Sequence, residues 1–105
     1  MDEQESTFEA IKGAMIASHE GVFEGKMMRS PAITVHEKVF AFLSRKGKMV
    51  FKLGDDFIPE DHDIRPFNPF KTKGPLRGWY EVDLTTEGRW KEFAERSMKI
   101  VRDEQ

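Results

Sequence analysis

Lys26, Arg29, Arg45, Lys46, Lys48, Lys52, Lys71, Lys73 and Arg77 crowd the middle of this 105-residue chain. Ammonium and guanidinium groups gathered on one surface attract phosphate. Arg45-Lys46-Gly47-Lys48 reads as the tip of a hairpin, and a basic tip can track a nucleic-acid backbone. Trp79 or Phe70 nearby offers a ring on which a base could stack. Against this stands a net charge of −2, since nucleic-acid-binding domains are basic overall. Lysine is also an ordinary guard of sheet edges. The basic set therefore reads equally as solvated charge, or as the complement of acidic segments in the same fold. The charge balance favours this second reading and leaves nucleic-acid contact as the alternative.

A second constellation is Met28, Phe70, Trp79 and Glu81, with Arg77 close by. Strand alternation puts Trp79 and Glu81 on one face, which would make a mixed apolar and acidic wall for a small ligand or a partner. The plainer reading makes Trp79 and Trp90 core anchors that join the last strand to the last helix. Glu60-Asp61-His62-Asp63, with Asp55 and Asp56 upstream, could hold a hard cation, but EF-hand spacing is missing and Pro59 interrupts the run. They read as a solvated acidic loop. With no cysteine, neither disulfides nor the usual zinc sites are available. His19 and His36 are tied by no motif to a carboxylate or nucleophile. The phosphate-cradling loops and the Gly-x-Ser-x-Gly elbow are absent from the sequence. No catalytic residue, cofactor or metal is assigned.

These side chains must be positioned by a small scaffold. A chain of this length suits one domain, large enough for a core without disulfides or metals. Nine Phe, two Trp and six Met compensate for a modest hydrophobic share of 38%. Charge is segregated along the chain. Residues 26–52 carry seven basic and one acidic residue, and residues 53–63 carry five acidic residues and no Lys or Arg. The N-terminus lacks the basic and apolar regions of a signal peptide, and no apolar run is long enough to span a membrane. The expectation is a soluble cytoplasmic protein.

Ser6-Thr7-Phe8-Glu9 has the form of a capping box, and Phe8, Ile11, Ala14, Met15 and Ser18 follow at helical spacing. This predicts a helix over 7–19, ended by Gly21 in the left-handed conformation, with residues 1–5 disordered. Ala32 to Val35, Val39 to Ser44 and Met49 to Leu53 read as strands, Pro31 breaking the run before them. Met49, Phe51 and Leu53 should face one way, Val50 and Lys52 the other. Pro66, Pro69 and Gly74 make 65–74 an irregular or edge segment. Leu76 to Leu84 is a strand with Trp79, Glu81 and Asp83 on one face. Thr85 or Thr86 caps a last helix whose buried stripe is Trp90, Phe93, Ala94, Ser97 and Val101. Glu87–Lys91, Glu92–Arg96 and Glu95–Lys99 are spaced as i,i+4 pairs. The sum is an α+β domain: an antiparallel sheet of about five strands flanked by an N-terminal and a C-terminal helix.

The ordered set Gly25-Lys26-Met27-Met28, Lys38-Val39-Phe40-Ala41, Met49-Val50-Phe51-Lys52-Leu53, Pro69-Phe70, Gly78-Trp79-Tyr80-Glu81-Val82 and Trp90 with Phe93-Ala94 resembles the TfoX N-terminal domain family. That family is related in shape to MmcQ/YjbR-like domains. Arg29, Ser30 and Pro31 stand where the family has glycines. The resemblance spans residues 8–101 and implies a small α+β fold. Proteins of this family are associated with regulation of natural competence and often carry a second, C-terminal domain. The resulting expectation is a non-enzymatic binding domain whose partner is a protein, itself as a homodimer included. A nucleic-acid-binding domain and a small-molecule pocket near Trp79 and Glu81 are the alternatives.

Overall fold

Strands joined by turns of a few residues pair antiparallel, and the computed structural model follows that rule from Val22 to Lys52. It describes residues 3–27, 30–44, 47–59, 62–68 and 76–104. Helix α1 (Glu3–Ser18) leads into β1 (Val22–Met27), β2 (Ser30–Val35), β3 (Lys38–Leu43) and β4 (Met49–Lys52). Then come β5 (Ile64–Pro66), β6 (Trp79–Val82), a 3-10 segment (Leu84–Arg89) and helix α2 (Trp90–Asp103). The sheet order is β1-β2-β3-β4-β6-β5, antiparallel throughout. The fold is thus α+β as expected, with six strands rather than about five.

One sheet face is dry and packs on both helices. Phe8 and Met15 of α1 and Trp90, Phe93, Ala94, Met98 and Val101 of α2 meet Ile33, Val35, Phe40, Leu43, Met49, Phe51, Leu53 and Val82 there. The period-2 reading of β4 holds: Met49, Phe51 and Leu53 join this core, while Val50 points to the other face. The α2 stripe is buried as expected, with Met98 added to it.

Several local expectations are corrected. Helix α1 begins at Glu3, so Ser6 and Glu9 lie inside it and form no capping box. Thr7 instead donates to the Glu3 carbonyl one turn back, 2.9 Å away. Residues 3–5 are helical, not disordered, while residues 1 and 2 lie outside the described set. Ser18 is exposed. Gly21 does take positive φ, at 85°. Pro31 does not break β2 but is its second residue, opposite Lys26. The β2–β3 register begins only at Ala32, so a missing N–H at Pro31 costs no ladder bond.

The last helix is entered differently from the prediction. Asp83 precedes the 3-10 segment without a side-chain cap. Thr86 is buried; its hydroxyl donates to the Asp83 carbonyl at 2.7 Å and accepts from the Trp90 indole N–H at 2.9 Å. None of the three expected i,i+4 pairs closes among the described residues; Arg89 pairs instead with Glu92 and Arg96 with Asp56, and His19 Nε2 lies 3.9 Å from Glu95. No helix is long and apolar enough to cross a membrane among the described residues.

Candidate functional site

The face of the sheet turned away from the helices carries Trp79 and Glu81 of the residues singled out from the sequence. Its apolar part is a small cluster of Ala32, Phe42 and Val50, with Met27, Val39, Phe67 and Trp79 half-buried around it. A β-bulge builds it. Ile33 pairs with Ala41 and Thr34 with Val39, so Phe40 is the extra residue of β3. Phe40 and Ala41 both turn to the helices, and Val39 and Phe42 both turn to this face. Phe42 sits at the centre, its ring 5.4 Å from Phe67 and 5.8 Å from Trp79. Edge-on and tilted aromatic pairs at such spacing are favourable.

Trp79 is therefore not an anchor between the last strand and the last helix. It lies on the opposite side of the sheet from Trp90, the fully buried first residue of α2. The expected sharing of one face by Trp79 and Glu81 holds, since they oppose Lys52 and Val50 of β4. Phe67 is held in place through its backbone, whose N–H donates to the Trp79 carbonyl at 2.9 Å.

Towards β5 the face becomes charged. Arg65 straddles the Asp83 carboxylate, with Nη2–Oδ1 at 2.7 Å and Nη1–Oδ2 at 3.2 Å. It also donates to Glu81 Oε2 at 3.3 Å and to the His62 carbonyl at 3.0 Å. Lys48 Nζ reaches Asp83 Oδ1 at 2.5 Å. The Arg65 guanidinium, and then the Lys48 ammonium, hold the Asp83 carboxyl down to about 2, below its ordinary 3.8. Arg65 is held still more firmly in its charged form, chiefly by its hydrogen bond to Asp83.

Arg65 is the organising group that sequence reasoning missed. The one signal for it is the strand partnership with Glu81, hidden because Pro66 and Pro69 marked its segment as irregular.

The predicted basic surface is divided. Lys26 is exposed on β1, and alternation with buried Val22 puts it on the helix side of the sheet. Lys48 lies on the other face and is paired to Asp83. Lys52 is paired to Glu104 just past α2, and Arg77 to Asp55 at 3.0 Å. Lys52 and Arg77 line one open groove, but both of their carboxylate partners line it too. Met28, Arg29, Arg45, Lys46, Phe70, Lys71 and Lys73 lie outside the described residues.

In the acidic loop, Asp55 and Asp56 face Arg77 and Arg96, and Asp63 accepts from the Thr85 hydroxyl. Glu60 and Asp61 lie outside the described set. Among the described residues no cluster of three or more ligating groups is placed to hold a metal ion. Compared with known proteins, the chain matches no family model, no curated protein and no solved structure.

Proposed function

We propose that this chain is a binding domain of the TfoX N-terminal type, acting in a regulatory role by docking onto a protein rather than by catalysis. The observation that carries this reading is where the charges of the central segment go. Lys48, Lys52 and Arg77 each face a carboxylate of the same chain. A phosphate backbone would have to compete with those carboxylates. The reading as intramolecular complementarity is supported, and the net charge of −2 supports it further. The small-molecule alternative has less support, because Trp79 packs on Phe42 and the Glu81 carboxylate is engaged by Arg65. The ordered sequence pattern supports the family assignment.

Fluorescence anisotropy against labelled single- and double-stranded DNA, at low and near-physiological salt, separates the two leading readings. The expected outcome is no association tighter than about 100 µM at the higher salt. Salt-sensitive micromolar binding that disappears when Arg45, Lys46 and Lys48 are replaced by Glu would overturn the proposal in favour of nucleic acid.

A further inference from the structure

The two edges of the sheet are built differently. The β5 edge is three residues long and contains Pro66, and its Arg65 is locked onto Asp83 and Glu81. Shortness and proline are usual ways of blunting an edge, and like charge is another, whereas the two charges of β1, Glu24 and Lys26, are opposite in sign. The β1 edge has six residues, no proline, and an unbroken register against β2 from Val22 to Met27. No strand pairs with its outer side among the described residues.

The ladder phase is set by the His36 N–H donating to the Gly21 carbonyl at 3.3 Å. Gly21, Phe23, Gly25 and Met27 thus turn their backbone groups towards β2, and Val22, Glu24 and Lys26 turn theirs outward. Phe23 is 65% exposed at this edge, and the Glu24 side chain is 75% exposed.

We propose that the β1 edge pairs antiparallel with β1 of a second copy of this chain, joining two six-stranded sheets into one. This rests on the protein-binding reading above and names the partner. Only registers that set outward residues against outward residues can form a ladder. Among these, one is self-complementary. With Gly25 opposite Gly25 on the two-fold axis, Glu24 of each copy faces Lys26 of the other, and Phe23 faces Met27. Sliding by two residues either way sets Glu24 against Glu24 or Lys26 against Lys26, which is unfavourable.

Gly25 would occupy a non-hydrogen-bonded pair, where strands approach most closely, and it brings no side chain there. Glu24 already accepts from Lys12 at 3.1 Å. An open groove of about 410 Å³ beside Lys12, Glu24, Lys26 and Pro31 leaves room for an incoming ammonium. A contact made by one strand and its flanking side chains belongs among the small interfaces, so the dimer should dissociate in the micromolar range.

Sedimentation velocity on the full chain, from about 1 µM to about 1 mM, tests this. The expected result is a concentration-dependent monomer–dimer equilibrium. Lys26→Glu should weaken it about tenfold. The double exchange Glu24→Lys with Lys26→Glu should recover most of it relative to Lys26→Glu alone, because the same pairs across the seam form with signs reversed, although the bond from Lys12 to Glu24 within each chain is lost. A mixture of Glu24→Lys chains and Lys26→Glu chains should form heterodimers in preference to either homodimer.

Glu24→Pro removes an outward N–H without touching the β1–β2 ladder and should abolish the dimer while circular dichroism stays unchanged. Should that variant fail to fold, the charge exchanges decide. Gly25 is a poor site for a test, because a Cβ there would lie 2.7 Å from Thr34 Cγ2 within the same chain. A monomer throughout the range, or a dimer indifferent to the charge exchanges, overturns the inference. Either result leaves the protein-binding reading standing, whereas a positive DNA titration removes that reading even if the dimer forms.

Discussion

Asp83 is the residue on which the charged end of the sheet turns. It collects Arg65 from β5 and Lys48 from the β3–β4 hairpin, and the paired cations depress its pKa to about 2. A depressed carboxyl adds stability that is complete above its unfolded value, near 3.8, and is lost as pH falls through about 2. Asp83→Asn should therefore cost about 1 kcal/mol near neutral pH, a modest figure because the network is partly solvated. The gap between the two proteins should close as pH drops from about 4 to about 2. Urea denaturation across that range measures it; a gap that stays constant with pH would assign the loss to packing instead. Alternation put Asp83 on the Trp79 face, but as part of a strand running to Leu84, whereas β6 ends at Val82 and a 3-10 segment begins at Leu84. Its two partners were not legible, because no spacing rule brings residues 48, 65 and 83 together.

At the scale of elements, the β2–β3 hairpin carries visible strain. His36 and Glu37 form its two-residue turn with φ of 51° and 69°. Such a turn matches the twist of the strands but suits Asn and Gly, since other residues are disfavoured in the left-handed region. Glu37→Gly should raise stability by about 1 kcal/mol, and the thermal midpoint by about 4–8 °C. Lys38→Gly, one residue on and within β3, should lower the midpoint. Equal effects at the two positions would contradict the turn assignment.

Strands were readable wherever one face repeated every second residue, as in β4 and β6, and α2 wherever its stripe repeated at helical spacing. The start of β1 was not, because Val22-Phe23-Glu24 follows a glycine and alternates too weakly to stand out. Nor was the bulge at Phe40, since the apolar run Val39 to Leu43 hides which residue is extra. The end of α1 was legible from Gly21, but its start was misplaced by a capping pattern that the chain does not use.

The whole molecule is a sheet with one dry face and one mixed face, and its chain order is regular only in part. Strands β1 to β4 follow one another as neighbours, whereas β6 is inserted between β4 and β5. Joining β4 to β6 means closing the chain from residue 53 to residue 78, and among the described residues β5 has no ladder partner except β6. Short closures cost less chain entropy than long ones. Native-state hydrogen exchange should show the result as a hierarchy of opening. The Phe67 amide, bonded to the Trp79 carbonyl just beyond β5, should exchange through a low-energy opening that leaves the β2–β3 amides protected. If both sets exchanged only through global unfolding, the sheet would open as one cooperative unit. A hierarchy would mean that the Arg65–Asp83 network acts as a latch on the last piece of the sheet to arrive and the first to leave.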